Sequence, residues 1–166
     1  MTYTIKEVEG ENYVEIRFRK YPNKVAILDK IDLPLLQSKN WHINQNYVSL
    51  LPGYSNRRLH RIIINAKPGE IVDHINLNKL DNRRCNLRIV TREQNRQNCS
   101  GNKPKNPDSK YKGVTREKWA GKWRASINPN KKPINLGNYD TEEAAAEAYN
   151  VAAKKYFGEF GYQNKL

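Results

Sequence analysis

The sequence predicts an α+β chain made of three small pieces: an N-terminal β-meander, a strand–loop–strand–helix unit, and a three-stranded antiparallel sheet packed on one helix. Three observations carry this reading. From Tyr13 to Arg19 the apolar Val14, Ile16 and Phe18 alternate with Glu15, Arg17 and Arg19, the period of a half-buried strand. From Ile71 to Asn98 an apolar pair leads through a polar loop into the β-prone Leu87-Arg88-Ile89-Val90, and Thr91 with Gln94 has the spacing of a helix capping box. After Tyr111, three strand-like segments precede an alanine-rich helical run. The expected borders are a β-rich segment at 1–56, a central domain at 57–98, a linker at 99–110 and a last domain at 111–166.

In the first segment, Pro22-Asn23 reads as a turn and Val25 with Ile27 as the next strand; Trp41, Ile43, Tyr47 and Val48 around Asn44-Gln45-Asn46 suggest a further hairpin with a core of aromatics. This segment carries no identifiable chemistry. At Asn56 the pattern changes to Asn-Arg-Arg-Leu-His-Arg-Ile-Ile-Ile-Asn, where Arg57, Arg58 and Arg61 crowd the start of an expected apolar strand, Ile62 to Ile64. Lys67-Pro68-Gly69 is a turn, and Ile71-Val72 lead into Asp73-His74. The loop Asn76 to Arg84 is rich in Asn, Asp and Lys, residues that bond to local backbone and hold irregular turns. Residues 99–110, with Ser, Gly, two Pro and three Lys, have linker composition.

The last segment reads as strands at 111–117, 122–128 and 134–139. Trp123, Ala125 and Ile127 point one way and Lys122, Arg124, Ser126 and Asn128 the other. Asp140 and Glu143 have the spacing of an N-cap and its partner, and the helix they open runs through Ala144, Ala145, Ala148, Tyr149 and Ala152 to a stop near Gly158.

Charge bounds the partners. The net charge is +13, distributed as 7 basic and 6 acidic side chains in residues 1–56, 10 and 4 in 57–98, and 13 and 7 in 99–166. A basic excess confined to the two later segments points to a polyanion, with nucleic acid the leading choice and Arg57, Arg58 and Arg61 expected among its contacts. No apolar run approaches the roughly 20 residues that span a bilayer, and the first ten residues lack the apolar centre of a signal peptide. Two cysteines, Cys85 and Cys99, cannot make a four-cysteine zinc staple. No structural zinc is expected, and the thiols suit a cytoplasmic protein.

A folded-back hairpin can bring the Asp73 carboxylate and the Asn95 amide oxygen to one point beside the His74 imidazole. Oxygen ligands of that kind suit a hard divalent cation, Mg2+ or Mn2+, that keeps several waters. An imidazole, whose unperturbed pKa is near neutrality, can take a proton from an attacking water. Around this point Arg83, Arg84, Arg88, Arg92 and Arg96 could grip phosphates through forked donors.

Asp73 and His74, Asn86 with Leu87 and Arg88, and Asn95 together make a pattern that resembles the HNH, or ββα-metal, nucleases, and among them the intron-associated homing endonucleases of phages. The resemblance covers His60 to Asn98. It implies a general base at His74, metal ligands at Asp73 and Asn95, and an Asn86 side chain that fixes the loop carrying the histidine. His60 falls where such enzymes often have a histidine, with either a structural or a metal or phosphate role.

The last segment resembles the AP2/ERF DNA-binding domain, through Tyr111-Lys112-Gly113-Val114, Trp119, Gly121-Lys122-Trp123, Leu136-Gly137, Tyr139-Asp140-Thr141 and Glu143-Ala144-Ala145 with Ala148-Tyr149. In that family the sheet enters the major groove, which implies a DNA-facing role for Lys112, Thr115, Arg116, Trp119, Lys122, Arg124 and Asn135. Thr115, Glu117 and Asn135 depart from the plant pattern and Ala120 is an extra residue, so base preference does not carry over. The expectation is a monomeric, metal-dependent endonuclease acting on double-stranded DNA in the cytoplasm of a bacterium or phage-infected cell. The alternatives are a non-cleaving DNA-binding regulator and an RNA-binding protein.

Overall fold

A computed structural model describes residues 3–37, 39–50, 57–99, 109–129 and 132–166. The chain forms two compact units, residues 1–91 and 92–166. The first contains both the β-rich segment and the Asp73-His74 hairpin. Most of the proposed linker, residues 100–108, lies outside the described residues.

In the first unit, β1 (Tyr3–Glu7), β2 (Tyr13–Phe18) and β3 (Tyr21–Asp29) form an antiparallel sheet in that order. Val14, Ile16 and Phe18 are the inward set that alternation requires. The turn comes at residues 19–20, three positions earlier than Pro22-Asn23, and Pro22 sits at the start of β3 beside a register shift between Arg17 and Phe18. An irregularity of that kind admits a residue with no N–H to donate. A 3-10 turn (Lys30–Leu36) follows, with Asp32 and Leu36 buried. The hairpin of β4 (His42–Asn44) and β5 (Tyr47–Ser49) turns through Gln45 and Asn46 at φ 49° and 64°, the left-handed pair of a tight two-residue turn.

Residues expected as a strand at Ile62 to Ile64 belong instead to a short helix and its end, α1 (Leu59–Ile63). Three adjacent isoleucines look β-prone, but Leu59 and Ile63 stand one helical turn apart and both enter the core with His60. Asn65, at φ 51°, ends the helix in the left-handed conformation that Asn tolerates. β6 (Ile71–His74) and β7 (Leu87–Val90) make a two-stranded ribbon. One apolar core runs from the meander through Trp41, Leu59 and Ile63 to Leu87. Backbone bonds from Ile27 N–H to Leu80 O and from Asn82 N–H to Ile27 O, both 2.8 Å, stitch the β6–β7 loop to β3.

The second unit begins with α2 (Arg92–Asn98). Its sheet has the order β10 (Ile134–Tyr139), β9 (Trp123–Ile127), β8 (Val114–Arg116), backed by α3 (Glu142–Phe157). β8 is shorter than the expected 111–117 because Gly113 turns the chain at φ 77°. The N-cap of α3 is Thr141, whose Oγ accepts from Ala144 N–H, rather than Asp140; the Asp140 carboxylate faces Lys122 Nζ at 3.3 Å. Among the described residues no helix is long and apolar enough to cross a membrane.

Candidate active site

The β6–β7 register sets Asp73 opposite Arg88 and His74 opposite Leu87. Neighbours on a strand face opposite ways, yet Asp73 and His74 are 6% and 5% exposed, so both faces of the ribbon are covered here. Arg88 Nε and Nη2 donate to one Asp73 oxygen at 3.1 and 3.0 Å. The His74 ring stands edge-on to His60, centroids 4.9 Å apart, and 6.1 Å from the Tyr47 ring. Burial pushes the His74 pKa down, more than the Asn82 side chain and the Asp73 and Asp81 carboxylates raise it. His60 is held lower still, to about 3, by burial and by the charges of His74, Arg58 and Arg61. Its Nδ1 is buried without a partner among the described residues. Both rings are therefore neutral at pH 7.

The loop leaving His74 is held by amides and one acid. Asn86 Nδ2 donates to Asp81 O at 2.8 Å, while Asn86 Oδ1 accepts from Asn76 N–H at 2.9 Å. The loop also holds Leu77 at φ 64°, a conformation that costs a residue with a Cβ about 1 kcal/mol. Asp81, 2% exposed, accepts from Arg83 Nε and Nη2 and from Asn76 Nδ2 at 2.7–2.9 Å. Burial raises its carboxyl, but the bonds from Arg83 and Asn76 outweigh this and leave it below the ordinary value. Asp81 and Asn82 carry this loop without having been singled out from the sequence. The Asn-rich composition marked an irregular turn but not which acid the turn folds around.

Asn95 is half-buried on α2, which packs within the second unit, whereas Asp73 and His74 lie in the first. Among the described residues no group of three or more His, Cys, Asp or Glu side chains is gathered to hold a metal. Cys85 and Cys99 are free and exposed.

The basic residues separate into two sets. Arg84 Nε and Nη2 grip the buried Asp32 carboxylate at 2.9 and 2.6 Å, and Arg84 N–H donates to Asp29. Arg61 donates to the carbonyls of Glu70 and Lys67, and Arg88 holds Asp73. Lys112 Nζ donates to the carbonyls of Gln97 and Cys99 at 2.9 and 2.6 Å, at the end of α2, and burial lowers its pKa. These four, read from the sequence as DNA contacts, have protein partners. Arg57 and Arg92 are exposed, and Arg58 lies over the Tyr47 ring. In the second unit Trp119, in the turn between β8 and β9, is fully exposed; Arg116, opposite Trp123 in the sheet, lies near its ring; and Lys122 and Arg124 make exposed pairs with Asp140 and Glu117.

Comparison with known proteins agrees with this layout. Residues 57–97 match the HNH endonuclease family model and residues 109–159 match the AP2 domain model. An uncharacterized HNH endonuclease of Acanthamoeba polyphaga mimivirus is 35% identical over 139 residues, covering 80% of this chain and 71% of its own. An ethylene-responsive transcription factor of Arabidopsis thaliana is 40% identical over 77 residues, 36% of this chain and 18% of the factor. An AP2-like ethylene-responsive transcription factor of the same plant is 48% identical over 58 residues, 29% of this chain and 14% of the factor. The chain thus spans under a fifth of either plant protein. No solved structure matches. A nuclease segment, a sheet-and-helix module after it in the chain and a viral relative 35% identical over most of both lengths lead to one conclusion: the chain belongs to the HNH endonuclease family and carries an AP2 domain.

Proposed function

We propose that the protein is a divalent-metal-dependent endonuclease of the homing type that hydrolyses phosphodiester bonds in duplex DNA, guided by its AP2 sheet. The observation that supports this most is the Asp73-His74 pair, buried at the end of a two-stranded ribbon whose exit loop is closed by the Asn86 side chain. The neutral His74 imidazole takes the proton of the attacking water; Asn86 fixes the loop that aims it. The Asp73 carboxylate and the Asn95 amide oxygen are hard donors of the kind that a cation retaining several waters, Mg2+ or Mn2+, would take. Such a cation supplies charge stabilisation for the phosphate and the departing oxygen. The products then carry 5′-phosphate and 3′-hydroxyl ends. Arg57 and Arg92, with Arg116, Trp119, Lys122 and Arg124 of the β8–β9 hairpin, contact the duplex, and the proposed working form is a cytoplasmic monomer.

A plasmid-nicking assay with Mg2+ tests this. The parent should nick, EDTA should stop it, and His74→Ala should lose about 10²–10⁴-fold in rate while still binding DNA. Equal cutting by His74→Ala and the parent overturns the assignment of the base. The Arg88 guanidinium on Asp73 favours a second reading, a DNA-binding regulator that does not cut. Failure of the parent to nick at saturating Mg2+ and Mn2+ selects that reading.

A further inference from the structure

The cations of the first unit's site differ in what neutralises them. Arg83, Arg84 and Arg88 each hold a carboxylate, from Asp81, Asp32 and Asp73, and Arg61 holds two carbonyls. Arg58 and Lys79 do not. Arg58 Cζ lies 4.1 Å, and Lys79 Nζ 4.7 Å, from the centroid of the same ring, Tyr47. Neither has a carboxylate at ion-pair distance among the described residues. The Tyr47 ring in turn abuts the histidine pair, 5.2 Å from His60 and 6.1 Å from His74. Two cations from separate elements, the start of α1 and the β6–β7 loop, thus pack on one aromatic ring beside the proposed base.

Like charges drawn together repel, and a ring quadrupole offsets only part of that. A bound anion offsets more. The backbone under Lys79 is already fixed: Asn78 N–H donates to Asn76 Oδ1, Leu80 N–H to Asn78 Oδ1 and Asp81 N–H to Asn78 O. A charge held on a preset loop needs little reorganisation when a substrate arrives.

We infer that Arg58 and Lys79, seated on Tyr47, form the clamp for the non-bridging oxygens of the phosphodiester that His74 serves. This deepens the nuclease reading and rests on it. Arg58 and Lys79 are the catalytic residues of the clamp, a planar fork and a point charge; Tyr47 is a positioning residue that sets their spacing.

Single-turnover nicking at saturating protein is the first readout. Lys79→Gln and Arg58→Gln should each slow cutting by about 10²-fold, and each should lower the slope of log affinity against log salt by about one. Lys79→Arg and Tyr47→Phe should restore the rate, and Tyr47→Leu should not. The second readout needs no activity: amide resonances of Tyr47, Arg58 and Lys79 in the full chain are followed while a mixed-sequence duplex is added in EDTA. They should shift in the parent and fail to shift in Lys79→Gln. Parental cutting by both Gln variants, or unmoved resonances in the parent, overturns the clamp. If the parent does not nick at all, the nuclease reading fails, and the EDTA titration alone decides whether the anion site exists.

Discussion

The two compact units hold their working surfaces by opposite means. In residues 1–91 the site is braced by charge: Asp32, Asp73 and Asp81, all buried, are each gripped by a forked arginine. In residues 92–166 the sheet is braced by close approach. The inner face of α3 is Ala145, Ala146, Tyr149, Ala152 and Ala153, and Gly113 leaves the space that the Tyr149 ring fills. The ion pairs there, Lys122 with Asp140 and Arg124 with Glu117, lie in water. An arginine facing a buried carboxylate is structural, because losing it leaves a charge with no solvent. One facing an exposed carboxylate can exchange it for a phosphate at little cost.

The contrast should break most visibly at Gly113. A Cβ there stands 2.1 Å from Tyr149 Cδ2 and 2.6 Å from Ser126 O, at φ 77°. Overpacking and left-handed backbone together should cost Gly113→Ala about 4 kcal/mol in urea unfolding. Arg84→Ala comes next, at about 3 kcal/mol, the low end for a broken buried pair because Arg84 itself is half in water. A loss under about 1 kcal/mol would mean that Asp32 has another way to be satisfied.

Acid titration sharpens the same point. The Asp81 carboxyl is lower in the folded chain than its ordinary 3.8. Its contribution is therefore fully present above that value and is lost as pH falls through the folded value. Asp81→Asn should flatten the acid limb of a stability–pH curve below about pH 4; an unchanged limb removes Asp81 from the account. Smallest in stability are Lys122→Ala and Arg124→Ala, each within about 0.5 kcal/mol of the parent. Each should still lower the salt slope of DNA binding by about one, and a slope unchanged in both would take them off the interface.

The strands were legible where one face is buried: Val14, Ile16 and Phe18 spell out β2, and Ala125 with Ile127 spell out β9. That Asp73 and His74 end a strand and that Asn86 lies past the loop was legible from the apolar runs on either side, while the chemistry expected of them came from the family resemblance. The helix at Leu59–Ile63 was not, since three isoleucines satisfy either period over so short a run and only the shared core decides between them. Nor was the fate of the basic residues. Whether Arg84 or Lys112 meets a phosphate depends on Asp32, 52 residues away from Arg84, and on the carbonyls of Gln97 and Cys99. Tyr47 read as core because aromatic residues in a hairpin usually are, and Lys79 was one lysine in a polar loop.

The Lys112 ammonium on the end of α2, and Asn164, which exchanges two bonds with the Lys112 backbone and two with the Asn150 side chain, bear on how the protein can be dissected. The family borders, 57–97 and 109–159, separate Lys112 from Gln97 and omit Asn164 altogether. A fragment trimmed to the AP2 match alone strands a desolvated ammonium and deletes the amide that ties the carboxy-terminal segment down. A fragment carrying the sheet should therefore begin at Arg92 and run past Asn164, and a nuclease given another reader module must keep its own copy of the helix that bears Asn95.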